Sequence, residues 1–174
     1  MENKKVNILI TKEQIEKRIA ELGSEISKNY EGKNLYVLSL LRGSFIYTAD
    51  LVRNITVPTK IGFMTTSSYG HNEQSTGSVI IVNDIPDNIE GCDVLVVDDI
   101  VDTGITMEFV MEHVKSLGAN TVKSCVLLDK PERRKVDVKP DYCCFEIPDV
   151  FVVGYGLNYG DYYRNIPYVF NWED

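Results

Sequence analysis

The run Val94-Leu95-Val96-Val97-Asp98-Asp99-Ile100-Val101-Asp102-Thr103-Gly104-Ile105-Thr106-Met107 constrains the fold more than any other stretch of this chain. Its first four residues are apolar and three are valine, which reads as a strand buried on both faces, as inside a parallel sheet. Asp98 and Asp99 are expected to end that strand, and a turn of small residues follows. From Met107 the apolar positions Val110, Met111, Val114 and Leu117 recur at helical spacing until Gly118, a C-terminal cap. The order is strand, loop, helix. In an open α/β sheet, ligands bind beyond the carboxyl ends of the strands, so chemistry is expected in the loop 98–106. The free N–H groups of the helix start, the hydroxyls of Thr103 and Thr106, and a Gly104 that lets backbone approach closely make a cradle for a phosphate monoester. Asp98 and Asp99 would repel phosphate, but they suit a sugar diol and can lie near a hard cation such as Mg²⁺. Phosphate and diol together describe a phosphorylated ribose.

The remaining chain repeats this pattern. Thr11-Lys12-Glu13-Gln14 has the form of a capping box, and Ile15, Ile19, Leu22 and Ile26 mark one face of the helix it opens. Leu35 to Leu41 is a second buried-strand candidate; it ends in the turn Arg42-Gly43-Ser44 before a helix to about Arg53. A glycine turn, a guanidinium and a helix start can hold a further phosphate group. Strands are expected at Lys60–Met64, Ser78–Val82, Thr121–Leu128, Tyr142–Glu146 and Phe151–Gly154. The polar, glycine-bounded segment of about 67–77 suits a hairpin loop or a lid, with His71 an exposed loop residue. Lys130 follows a strand's carboxyl end, whereas the basic run that continues to Lys135 is interrupted by Pro131 and Glu132 and reads as a solvated loop.

Composition narrows the class. A chain of 174 residues, 44% hydrophobic, suits one domain with a sizeable core. A formal net charge of −8 argues against nucleic acid or an anionic membrane as the main partner. The N-terminal segment has neither a signal peptide nor a span, so a cytoplasmic protein is expected. Cys92, Cys125, Cys143 and Cys144 form no C-x-x-C pair and are expected to be reduced and buried. Neither a G-x-G-x-x-G nor a P-loop motif occurs, so dinucleotide and P-loop chemistry lack support.

The 98–106 loop, with its acid-acid-x-x-Asp-Thr-Gly-x-Thr form, resembles the phosphoribosyl pyrophosphate (PRPP) loop of type I phosphoribosyltransferases, and the flanking segments resemble the hypoxanthine-guanine branch. The resemblance covers nearly all of the chain beyond the first helix. It implies an α/β fold, a mostly parallel twisted sheet flanked by helices, in a single domain spanning 1–174. A small hood would be formed by the N-terminal segment and about 130–174. It implies transfer of the phosphoribosyl group of Mg²⁺-PRPP to N9 of hypoxanthine or guanine, giving IMP or GMP and pyrophosphate, by a homodimer or homotetramer.

The resemblance also implies roles. Asp98 and Asp99 would hold the ribose hydroxyls and lie near Mg²⁺ indirectly, mainly through PRPP. Asp102, Thr103, Gly104, Ile105 and Thr106 would bind the 5′-phosphate, with Asp102 also taking or hydrogen-bonding the purine N7 proton. Arg42, Gly43 and Arg164 would bind pyrophosphate, with a cis peptide at Leu41-Arg42, and Ser68 and Tyr69 would close a lid. Lys130 would select the 6-oxo edge, Phe151 would stack on the purine, and the Val152 backbone would bond its edge. Asn158 stands where the resemblance expects a metal-binding aspartate, and a neutral amide is a weaker Mg²⁺ ligand; Asp161 is nearby. Two alternatives stay open: a PRPP-sensing nucleic-acid-binding regulator of the same fold, and a phosphoribosyltransferase for another base such as xanthine.

Overall fold

The computed structural model describes residues 5–68 and 79–173. Six strands form one sheet: β2 (Leu35–Leu41), β3 (Thr59–Ser68), β4 (Val79–Asn83), β5 (Asp93–Val101), β6 (Thr121–Asp129) and β7 (Tyr142–Glu146), in the order β4-β3-β2-β5-β6-β7. All neighbours are parallel except β3 and β4, which pair as an antiparallel hairpin. A separate antiparallel ribbon joins β1 (Val6–Ile10) to β8 (Val169–Trp172), bringing the two chain ends together.

The apolar runs of β2 and β5 are buried on both faces because helices cover both. Leu35, Val37, Leu95 and Val97 point into one core with Ile15, Ile19, Leu22 and Ile26 of α1 (Lys12–Asn29) and Tyr47 and Leu51 of α2 (Phe45–Arg53). Leu38, Leu40, Val94 and Val96 point into the other, against Met107, Val110 and Val114 of α3 (Ile105–Ser116). α1 starts as its sequence dictates: the Thr11 hydroxyl accepts from the Gln14 N–H and the Gln14 side chain accepts from the Thr11 N–H.

The chain from β2 crosses through α2 to β3 on one side, and the chain from β5 crosses through α3 to β6 on the other. The direction of winding therefore reverses between β2 and β5, and the crevice at their carboxyl ends is the ligand position of a doubly wound sheet. The turn after Leu41 and the loop after Asp98 both open there.

Several elements differ from the sequence reading. β5 does not stop at Asp98; it runs to Val101, because Asp98, Ile100 and Val101 keep their places beside Val126, Leu128 and Asp129 of β6. A ladder depends on backbone groups, and acidic side chains can leave it intact while they serve neighbouring N–H groups. α3 begins two residues before Met107, at Ile105, and ends at Ser116, with Leu117 as its C-cap and Gly118 in the left-handed region just beyond. β3 extends through Ser67 and Ser68, so those two belong to the hairpin strand; the remainder of the 67–77 segment, with Tyr69 and His71, lies outside the described residues. Phe151–Gly154 is not a strand. Val153 makes a single bridge to Phe170, and the chain then turns through positive φ at Gly154 (98°) and Tyr155 (50°). Finally, β8 and its pairing with β1 carried no signal in either segment alone.

Candidate active site

At the end of β5 the two acids turn their carboxylates back on the strand: Asp98 Oδ1 accepts from the Asp99 N–H and Asp99 Oδ1 from the Ile100 N–H, each at 2.9 Å. Burial pushes the Asp98 carboxyl well above the usual carboxylate range, and the adjacent Asp99 adds to it. Burial also raises Asp99, although hydrogen bonds and the positive charge of Arg164 pull the other way. Two such carboxyls side by side can accept hydrogen bonds from a diol.

The turn after β2 comes down on these acids. A Cβ at Gly43 would lie 1.8 Å from Asp99 Oδ2, so only glycine fits the close approach. The preceding Leu41-Arg42 peptide is cis. Beneath the turn, Ser44 donates to the Leu40 carbonyl, and the Ser39 hydroxyl lies 2.8 Å from that of Ser44 and 2.7 Å from that of Thr48, all three buried. Arg42 itself is exposed. Arg164 reaches the same place from the C-terminal region, donating to the Gly156 carbonyl at 2.6 Å, close enough to Asp99 to act on its titration.

Beyond Asp99 a cavity of about 110 Å³ is lined by Asp98, Asp102, Thr103, Gly104 and Thr106, with Ile100, Val101 and Met107. Gly104 adopts φ 86°, which swings the chain from the loop into α3. The Thr103 hydroxyl accepts weakly from the Ile105 N–H at 3.4 Å. Oxygen donors, free N–H groups and a helix start thus surround a space suited to a phosphate.

The loop after β6 forms the opposite wall. The Lys130 N–H donates to the Val101 carbonyl and the Lys135 N–H to the Thr103 carbonyl, both at 2.9 Å, tying this loop to the wall of the cavity. Lys130 is buried, with its ammonium 3.8 Å from Asp149 Oδ1. Val152 is buried; Phe151 beside it is 61% exposed and meets Tyr159 edge-on, with centroids 6.0 Å apart. A flat apolar ligand could lie on the free face of such a ring.

Arg133 and Arg134 are the residues the sequence reading missed. The run is exposed at Pro131, Glu132, Arg133 and Lys135, as a solvated loop requires, but Arg133 Nε also pairs with Asp102 Oδ1 at 2.6 Å, while Arg134, largely buried, donates to the Asp102 carbonyl at 3.2 Å and pairs with the Asp129 carboxylate. Their position directly after Lys130, at a strand's carboxyl end, was the available signal. Asn158 lies at the rim, its amide donating to the Gly160 carbonyl at 2.5 Å. Among the described residues no three His, Cys, Asp or Glu side chains converge as a metal site. The donor set, two adjacent carboxylates beside a phosphate cradle, fits a cation that arrives with a phosphorylated ligand rather than one caged by protein alone.

A phosphoribosyl transferase domain model matches residues 6–160. The chain is 45% identical over 172 residues to a hypoxanthine-guanine phosphoribosyltransferase of Aquifex aeolicus, covering 98% of this chain and 97% of that one. It is 46% identical over 172 residues to a hypoxanthine phosphoribosyltransferase of Haemophilus influenzae, covering 97% and 96%. A crystal structure of a Staphylococcus aureus hypoxanthine phosphoribosyltransferase superposes with a TM-score of 0.92 at 41% identity, covering 96% of this chain and 91% of that one. The Trypanosoma cruzi enzyme in a ternary complex with substrates superposes with a TM-score of 0.90 at 38% identity, covering 99% and 97%. On fold, crevice and sequence together, this chain belongs to the phosphoribosyltransferases, in their hypoxanthine-guanine branch.

Proposed function

We propose that this chain is a purine salvage enzyme that transfers the 5-phosphoribosyl group of PRPP to N9 of hypoxanthine or guanine, giving IMP or GMP and pyrophosphate. The observation that carries the reading is the meeting, at one crevice, of the phosphate cradle 102–106 with a buried lysine and an exposed phenylalanine face from the opposite wall. The 5′-phosphate is assigned to Asp102, Thr103, Gly104, Ile105 and Thr106, and the ribose hydroxyls to Asp98 and Asp99. Arg42, Gly43 and Arg164 take the pyrophosphate. Lys130 donates to the 6-oxo group, Phe151 stacks, and the Val152 backbone bonds the purine edge.

In the reaction the bond between C1′ and the pyrophosphate oxygen breaks, its electron pair leaving with pyrophosphate, and N9 bonds to C1′. Asp102 accepts the N7 proton, or holds it by a hydrogen bond, as charge develops on the ring. The guanidinium groups of Arg42 and Arg164 offset the growing negative charge on the leaving group. No protein nucleophile is required, since holding acceptor and donor in line supplies much of the rate. Mg²⁺ bound with PRPP would neutralise part of the pyrophosphate charge; Asp98 and Asp99 would lie near it, and Asn158 is the weaker candidate for a second site.

The segment of about 67–77, with Ser68 and Tyr69 at its tip, serves as the lid that keeps water from the sugar cation. The β1/β8 ribbon with about 130–174 forms the hood over the base, within one domain. An uncovered apolar face of Phe45, Ile61, Phe63 and Ile80 among the described residues supports assembly into a homodimer or homotetramer. No described helix is long and apolar enough to cross a membrane, and the four cysteines are free, which supports work in the cytoplasm.

The test offers purified protein PRPP and Mg²⁺ with hypoxanthine, guanine, xanthine, adenine, uracil and orotate separately, and detects pyrophosphate. Release with hypoxanthine or guanine and not with adenine supports the proposal. Release with none of them, despite PRPP binding, overturns it in favour of a PRPP-sensing regulator.

A further inference from the structure

Four alternating charges run across the base side of the crevice. Asp102 Oδ1 lies 2.6 Å from Arg133 Nε, Arg133 Nη1 lies 3.4 Å from Asp149 Oδ1, and the same oxygen lies 3.8 Å from Lys130 Nζ. The two ends of this chain are the groups assigned above to the purine, and the two middle members have no role in that assignment. We propose that Arg133 and Asp149 are positioning residues that set the spacing and orientation of Asp102 and Lys130, so that one ligand meets a proton acceptor and an ammonium donor at once.

The members come from separate parts of the fold: Asp102 from the loop after β5, Lys130 and Arg133 from the turn after β6, and Asp149 from the segment beyond β7. Backbone hydrogen bonds tie these loops together, but the ends of the side chains are set only by contacts across the gap. Lys130 is held at its backbone by the Val101 carbonyl, but its long stem leaves the ammonium free to swing. The ammonium end is shut away from water, the side chain being 8% exposed, and Asp149 is its one carboxylate within 4 Å among the described residues. A shielded ammonium takes its direction from the nearest carboxylate. Arg133 suits the bridging place because its planar fork can address two carboxylates with fixed geometry, which lysine cannot do. Since Asp149 stands two residues before Phe151, the same brace also relates the stacking ring to the polar edge.

The inference rests on the base-site roles proposed for Lys130 and Asp102, and its test separates the two. Initial rates of the full-length protein would be measured with PRPP and hypoxanthine, each varied in turn, for Asp149→Asn, Asp149→Glu, Arg133→Gln and Lys130→Met. Asp149→Asn should raise the hypoxanthine KM about fivefold, the upper end for a partly exposed ion pair, with the PRPP KM and kcat changed by less than about twofold. Asp149→Glu, which keeps the charge, should recover most of that loss. Arg133→Gln should act in the same direction, by about threefold. A parental hypoxanthine KM in Asp149→Asn, with Lys130→Met impaired, overturns the brace and leaves the base site standing. An equal rise in the KM of both substrates overturns it too, as the mark of a merely structural role. Unchanged hypoxanthine kinetics in Lys130→Met removes the base-site reading and the brace with it.

Discussion

Replacing Gly43 by alanine adds one methyl group at the point where the β2 turn meets β5. The added carbon would lie 1.8 Å from Asp99 Oδ2 and 2.7 Å from Asp99 Cγ, far inside van der Waals contact. The turn cannot simply retreat, because Gly156 packs against its other side so tightly that a Cβ there would lie 2.1 Å from the Gly43 carbonyl oxygen. The Asp99 carboxylate must therefore rotate, giving up its 2.9 Å bond from the Ile100 N–H. Overpacking of this kind costs about 1 to 3 kcal/mol, and a lost hydrogen bond adds about 1 kcal/mol. If about 1 to 2 kcal/mol of this appears only in the PRPP-bound state, kcat/KM for PRPP falls about 5- to 30-fold. The share borne by the free protein, about 1 to 2 kcal/mol, lowers Tm by roughly 3 to 6 °C for a domain of this size. Initial rates at varied PRPP and a thermal melt read both. Asp99→Ala removes the whole obstructing carboxylate, so adding Gly43→Ala to it should change Tm little. A Gly43→Ala protein with parental kcat/KM for PRPP and parental Tm would refute the steric reasoning.

Asp102→Asn should lower kcat at least ~10²-fold if the carboxylate works as a general base at ordinary strength, which single-turnover rates with bound PRPP would show. Phe151→Ala should raise the hypoxanthine KM about tenfold, from the loss of one stacking face, while the PRPP KM stays put; isothermal titration with IMP is an independent check. Asp98→Asn should stabilise the ligand-free protein. The folded-state pKa of Asp98 is raised, so its contribution to stability is full below the unfolded carboxylate pKa of about 4 and is lost as pH rises through the folded value. Melts of parent and variant across that window should diverge towards high pH, with the variant the more stable and no longer able to bind PRPP.

The cavity lined by Asp98 and 102–106 was legible in the sequence because everything that makes it is local: a valine-rich strand, acids near its end, threonines, a glycine and a helix start lie in one run of residues. The same holds for the Thr11 capping box and for the β2 turn. Local signals failed where pairing partners were remote. Asp98 and Asp99 looked like a strand end, yet β6 carries the ladder on to Val101. Val6 pairs with Trp172 across almost the whole chain, and neither segment announces the other. Phe151–Gly154 has strand-like composition, but the positive φ values that follow it and the exposure of Phe151 reflect a loop shaped by its neighbours. The ion pairs of Arg133 and Arg134 were hidden for a related reason. Charge and an interrupting proline suggest solvent, and only the fold brings Asp102 and Asp129 beneath them.

In the proposed function one crevice, between the ends of β2 and β5, holds the phosphoribosyl group while the Lys130 wall holds the base. The most direct measurement is a crystal structure of the protein with IMP. The 5′-phosphate should lie on the backbone of 103–106, the ribose hydroxyls at Asp98 and Asp99, the ring against Phe151 and the 6-oxo group at Lys130. A nucleotide whose phosphate lies away from the 98–106 loop, or whose purine turns another edge to Lys130, would contradict it.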